Sequence, residues 1–238
     1  MEIRDARLDA GQVGKVVALI AGLAVAATSA LAQESAPVND PDKRQQEIVG
    51  LPPRIAPLET ARMSGEAQAI AARLRQAAGA PATGEVPDYV ATFLKHPNLY
   101  EKHVALGTEL LGNAALPVRD RELAVLRTAW LLGAPYEWGE HVAIGKRAGL
   151  TEDEIARIVQ GAQAQGWSTR DSAILRAAEE LRQGAMVSDS TWAELASFLD
   201  EKQLIELVYV IGNYTKVAYF QNALRLRLQK GNPGLLAR

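Results

Sequence analysis

Glu137 and His141 are four residues apart in the segment P-Y-E-W-G-E-H-V-A-I-G-K-R. On a helix that spacing places both side chains on one face. A carboxylate beside an imidazole favours the imidazolium and moves the histidine pKa upward, into a range useful for proton transfer. Glu122 stands in the preceding stretch, between Arg121 and Leu123 in R-E-L-A-V-L-R-T-A-W-L-L. A carboxylate on the apolar side of Leu123, Leu126 and Ala129 needs a partner, and Arg127 or His141 could serve. Glu140 adjoins His141 but points about 100° away on a helix, which predicts a solvent-facing side chain. The spacing has a purely structural explanation too: a buried Glu122–His141 pair, with Glu137 in solvent.

Positioning these groups requires two helices joined by the short Gly133-Ala134-Pro135 turn, so that Glu122 meets the first turns of the second helix. The rest of the chain supplies more helices. Apolar residues at helical spacing mark residues 66–78, 87–95 and 98–111, the last with Leu99, His103, Leu106 and Leu110 along one stripe. Pro117 opens a helix to Leu132, and Pro135 opens one that stops near Gly149. Thr151-x-x-Glu154 is a capping box, and helices are expected to start at Ser168, Ser190 and Asp200, the last running to Lys230. No stretch shows convincing period-two alternation. The reading is an all-α, single-domain helical bundle of seven to nine helices over residues 59–238. Helices apolar on more than one face, 123–132 and 204–223, need partners on both sides, from the same chain or another copy.

The chain has 238 residues, 48% hydrophobic and 23% charged, with a formal net charge of −2. No basic excess points to nucleic acid. Cysteine is absent, which removes thiolate nucleophiles, disulfides and cysteine-based metal sites. Three histidines with no HxH or HExxH spacing give no sign of a metal site, and no cofactor is expected. Residues 1–32 read as a signal peptide: Lys15, then an apolar run from Val16 to Thr28, then the small-x-small pattern Ala30-Leu31-Ala32. Cleavage after Ala32 would leave a periplasmic or secreted protein without stable membrane insertion. Residues 33–58, with five prolines and no periodicity, read as an extended linker or arm.

The stretch 121–158, with Glu122 in R-E-L-A-V-L-R, a Tyr-x-Trp segment, His141 at its end and A-G-L-T-x-x-E-I after it, closely resembles the carboxymuconolactone decarboxylase family, which includes alkylhydroperoxidase-D-like proteins. H-P-N-L-Y-E-K-H-V-A-L-G upstream and L-I-E-L-V-Y-V-I-G-N-Y downstream extend the likeness over residues 87–228. The resemblance implies an all-α fold of the alkylhydroperoxidase-D-like (AhpD-like) type, assembled as a homotrimer or homohexamer. The peroxidase branch of that family uses a Glu, a CxxC pair and a His. Glu122 and His141 match the Glu and His, while Ala134 and Glu137 stand at the two cysteine positions. The resemblance therefore implies the cysteine-free branch, not a thiol peroxidase.

On that basis the expected function is that of a cofactor-free carboxy-lyase or isomerase. It would act on a small lactone or unsaturated carboxylate, with His141, Glu137 and Glu122 as the catalytic group. Arg127, with Arg119 or Arg121 as alternatives, would hold the substrate carboxylate. Tyr136, Trp138 and His103 would line the pocket, although core packing explains all three as well. An exported copy is not expected to act on 4-carboxymuconolactone itself. The alternative is a non-catalytic binding or scaffold member of the same fold.

Overall fold

A helix buried on every side runs through the middle of the chain. The structure, a computed structural model, describes residues 38, 40–77 and 81–238; the expected signal peptide lies outside the described residues. Among these residues there are ten α-helices and no strand. They are α1 (Pro41–Val49), α2 (Gly65–Ala77), α3 (Asp88–Phe93), α4 (Pro97–Gly112), α5 (Val118–Leu131), α6 (Pro135–Arg147), α7 (Glu152–Gln160), α8 (Thr169–Gly184), α9 (Asp189–Ala196) and α10 (Glu201–Leu224). Short 3-10 turns occur at Thr60–Arg62 and Gly234–Leu236.

The buried centre is α5, with every residue from Asp120 to Trp130 shielded from solvent. Its apolar residues Leu123, Leu126 and Trp130 join one core with Ile155, Ile158, Ile174, Leu175, Leu207 and Ile211 from α7, α8 and α10. The charged residues of α5 are tolerated there because each is paired. Asp120 accepts from Arg170, Arg121 is bound to Glu122, and Arg127 to Glu179. A second, smaller core forms where α2, α3 and α4 meet, around Ile70, Leu94 and Tyr100.

Capping residues set the helix starts. Thr151 and Glu154 form the expected capping box before α7, and Asp200 forms a second with Gln203 before α10. Ser168 caps α8, whereas α9 is capped by Ser188, two residues before the expected start. Between α5 and α6, Gly133 takes φ +52°, and Pro135 occupies the first turn of α6 where no intrahelical donor is needed.

Two segments differ from the sequence expectation. Within 33–58, residues 41–49 are not extended. Asp40 accepts from the Lys43 amide and Pro41 sits in the first turn, so α1 forms despite the surrounding prolines. At the other end, α10 stops at Leu224 rather than Lys230. Arg225 adopts a left-handed conformation at φ +55°, and the Leu226 amide returns to the Gln221 carbonyl, a Schellman-type close that buries Leu226. The tail after it folds back along α6. Trp138 Nε1 donates to the Ala237 carbonyl, Asn232 donates to the Tyr136 carbonyl, and the Leu235 amide donates to Gln45 of α1. Gly139 is required at this crossing, because a Cβ there would run into Asn232 and the Gly234 nitrogen.

Candidate active site

The hairpin of α5 and α6 brings Glu122, Glu137 and His141 together. His141 Nδ1 donates to Glu122 Oε2 at 2.6 Å, and Arg121 Nε donates to Glu122 Oε1 at 3.0 Å. On the other side of the ring, His141 Nε2 lies 3.3 Å from Glu137 Oε1. Glu137 is buried, not solvated, and its Oε2 has no hydrogen-bond partner. The Tyr214 ring of α10 meets the imidazole edge-to-face, with centroids 4.8 Å apart.

Burial alone would lower the His141 pKa. The hydrogen bonds and charges of Glu122 and Glu137 outweigh it and raise the pKa to about 9. Burial would likewise raise Glu122, but the bond to His141, reinforced by Arg121, holds it below the usual carboxylate range. At neutral pH the centre is therefore an imidazolium between two glutamates.

His141 and Glu137 open on a cleft of about 260 Å³ between α4, α6, α10 and the tail. Helical geometry explains which α6 residues share it. At about 100° per residue, Tyr136, Glu140, Glu137 and His141 fall within roughly 140° of arc, and Trp138 falls outside. Glu140 consequently lines the cleft instead of pointing to solvent, with Oε1 accepting from Asn232 Nδ2 at 2.8 Å. Tyr136 is a cleft wall, its hydroxyl accepting from Gln229 at 2.5 Å. Trp138 is not a wall. It is fully buried against Trp130, and its indole nitrogen is taken by Ala237.

His103 of α4 lines the cleft opposite α6. Its Nε2 lies 2.5 Å from the Tyr89 hydroxyl. Burial and then the nearby Lys216 charge lower its pKa to about 4, while burial and the Glu137 charge raise Tyr89. The two form an uncharged pair at neutral pH, with the phenol donating to the imidazole.

The expected carboxylate anchor is not there. Arg127 lies about 140° around α5 from Glu122, five residues on. It binds Glu179 at 2.8 Å and donates to the Ile158 and Val159 carbonyls at the end of α7. Arg119 is committed to Asp171 and Glu154, and Arg121 to Glu122 and the Leu111 carbonyl. Among the described residues, no lysine or arginine lines the cleft. Three further polar residues of the cleft were not singled out in the sequence: Asn213, which lies in the L-I-E-L-V-Y-V-I-G-N-Y segment, Gln221 of α10, and Gln229 of the tail. The four-residue ladder Asn213, Val217, Gln221 places the first two on one face of α10.

Residues 97–180 match the sequence model of the carboxymuconolactone decarboxylase family. Over that stretch the chain is similar to the carboxymuconolactone decarboxylase family, and its fold is of the AhpD-like type. The fold agrees. A peroxidase-related protein from Silicibacter sp. TM1040 superposes with TM-score 0.62 at 14% identity, over 76% of this chain and 96% of that one. A peroxidase-related protein with an alkylhydroperoxidase AhpD core from Ralstonia eutropha JMP134 gives 0.60 at 15%, over 74% and 93%. The debrominase Bmp8, as a variant bound to 2,3,4-tribromopyrrole, gives 0.60 at 16%, over 75% and 93%. No curated protein matches the chain in sequence. This AhpD-like chain contains no cysteine, so disulfide-linked peroxide reduction is closed to it. The carboxymuconolactone decarboxylase match covers α4 to α8 up to residue 180, and so includes Glu122, Glu137 and His141 but not α10 or the tail.

Proposed function

We propose that the chain is a cofactor-free lyase or isomerase of the carboxymuconolactone decarboxylase type. It acts on a small lactone or unsaturated carboxylate by proton transfer at His141 and Glu137. The observation that carries this reading is the buried imidazolium of His141, held at Nδ1 by Glu122 and facing a cleft beside the unpartnered Oε2 of Glu137. A structural ion pair needs only one carboxylate. Here a second is buried next to the ring with half its acceptor capacity unused, and such groups mark functional sites.

The roles divide by charge. With a pKa near 9, His141 at neutral pH is a proton donor, not a base. Glu137 is the acceptor. Removal of a proton next to a carbonyl, or loss of CO₂ from a carboxylate, leaves an electron pair that spreads onto oxygen as an enolate. The imidazolium faces that developing charge and returns a proton to it. Glu122, with no exposure, touches no substrate; it is a positioning residue that fixes the ring and keeps it charged.

The test is incorporation of solvent deuterium beside the carbonyl of a small unsaturated lactone, followed by proton NMR. Wild type is expected to exchange. His141→Gln and Glu137→Gln should each slow exchange by about 100-fold or more, the usual size of an acid–base contribution. Unchanged exchange in both variants would remove the assignment.

A further inference from the structure

We propose that the cleft at His141 is a binding site for a protonated primary amine, whose three N–H groups are received by Glu137, Asn213 and Gln221. By occupying Glu137 the amine also blocks proton transfer there. That blocking role rests on the proton-transfer reading, whereas the binding itself stands on the unpaired acceptors and the charge of the cleft.

Among the described residues, three oxygens of cleft-lining side chains lack a hydrogen-bond partner: Glu137 Oε2, Asn213 Oδ1 and Gln221 Oε1. The three residues are more than nine-tenths buried, at 4%, 8% and 4% exposure. Asn213 and Gln221 stand eight residues apart on one face of α10, and Glu137 reaches the same cleft from α6. Buried polar atoms are normally satisfied within the fold, because stripping one of water without replacement costs free energy. All three atoms are acceptors, so only a donor completes them. A carbonyl or ether oxygen brings no donor and a hydroxyl brings one, whereas a primary ammonium brings three.

Charge points to the same ligand. Two cations, Arg121 and His141, meet three carboxylates, Glu122, Glu137 and Glu140, so the group keeps a net negative charge. Glu140 is held by the neutral amide of Asn232, and Tyr89 and His103 on the opposite wall are an uncharged pair. An ammonium entering here gains charge-assisted hydrogen bonds at Glu137, which an anion cannot make. The rings of Tyr89, Tyr136 and Tyr214 line the same space, and aromatic faces attract a cation. Beside the cleft, and sharing Tyr89, His103 and Val217 with it, lies a hollow of about 370 Å³ walled by Phe93 and Phe220, stacked at 4.4 Å. Lys102 and Lys216 at this hollow are exposed. They repel a second positive group, so the hollow takes an uncharged, apolar tail. The ligand is therefore a monoamine with a short alkyl or aryl tail, not a diamine.

The experiment is calorimetric titration of the full chain at neutral pH with n-butylamine and 2-phenylethylamine. Three analogues of the second separate the causes: 2-phenylethanol lacks the charge, 3-phenylpropionate reverses it, and the N,N,N-trimethyl ammonium keeps the charge without an N–H. At least one primary amine is expected to bind, and 2-phenylethylamine at least about tenfold more tightly than each analogue. Asn213→Leu and Gln221→Leu should each weaken amine binding by about fivefold or more while the melting temperature is retained. Absence of binding by both amines, an analogue that binds as tightly, or wild-type affinity in both leucine variants would overturn the proposal. The wild-type comparison stands even if a variant fails to fold. Amine binding with that selectivity but without deuterium exchange into the lactone would support this proposal and remove the catalytic reading alone. Exchange that continues unchanged at saturating amine would place the amine away from Glu137 and overturn the proposal, leaving the catalytic reading intact.

Discussion

Glu122 never meets solvent, so whatever it does is done through His141. The raised pKa of His141 and the lowered pKa of Glu122 are two views of one buried pair, and their contribution to stability is counted once. In the unfolded chain His141 would titrate near 6.5 and Glu122 near 4.5. A raised folded pKa gives stability that is fully present below 6.5 and is lost as pH climbs through about 9. A lowered carboxylate pKa gives stability present above 4.5 and lost in stronger acid. Urea midpoints should therefore be highest between those limits and decline from about pH 6.5 to about pH 9, and the decline should vanish in His141→Gln. An equal decline in that variant would show that another group carries it. The Glu122, Glu137 and His141 cluster was legible in the sequence because it is local: two consecutive helices, one short turn, one i,i+4 pair. The anchor role of Arg127 was not. A helix buried all round gives no sequence clue to which of its faces meets the cleft, and Arg127 faces α7 and α8 instead.

At the scale of elements, capping chemistry fixed most helix starts, and Thr151→Ala should cost about 1 kcal/mol through loss of the α7 cap. A cost near zero in chemical denaturation would mean the start of α7 is held by packing alone. The element least visible in sequence is the tail after α10. Arg225 in a left-handed conformation ends the helix without a glycine or proline to signal it. The tail then buries Leu235 completely and lends Gln229 and Asn232 to the α6 face of the cleft. Leu235→Ala should destabilise the fold by about 2–5 kcal/mol, as expected for a large-to-small change at a packed site. A loss under about 0.5 kcal/mol would place the tail outside the cooperative fold. The helix at Pro41–Val49 escaped notice for a related reason. Its cap at Asp40 and its first-turn Pro41 were present in the sequence, but neighbouring prolines and a weakly apolar face masked them.

For the whole molecule, α10 joins two features: Asn213 and Gln221 face the cleft, while Ile205, Tyr209 and Tyr219 are more than half exposed on the same helix. The sequence expectation that this helix needs partners on both sides is met on one side within the chain. A homo-oligomer is proposed to cover the other, and light scattering at micromolar concentration should give a mass of three or more copies. A monomeric mass would leave those side chains in water and contradict the proposal. The all-α class followed from the periodicity of the sequence, whereas the amide wall of the cleft did not, because it depends on how distant helices meet. The account turns on the charge of one imidazole. Its most direct test is nitrogen-15 NMR titration of His141 in wild type and in Glu122→Gln, where the carboxylate at Nδ1 is replaced by a neutral amide. The pKa should be near 9 in wild type and fall well below it in the variant, with the basic limb of deuterium exchange moving down in step. An ordinary value near 6.5 in both proteins would show that His141 is not the held imidazolium on which the proposed chemistry depends.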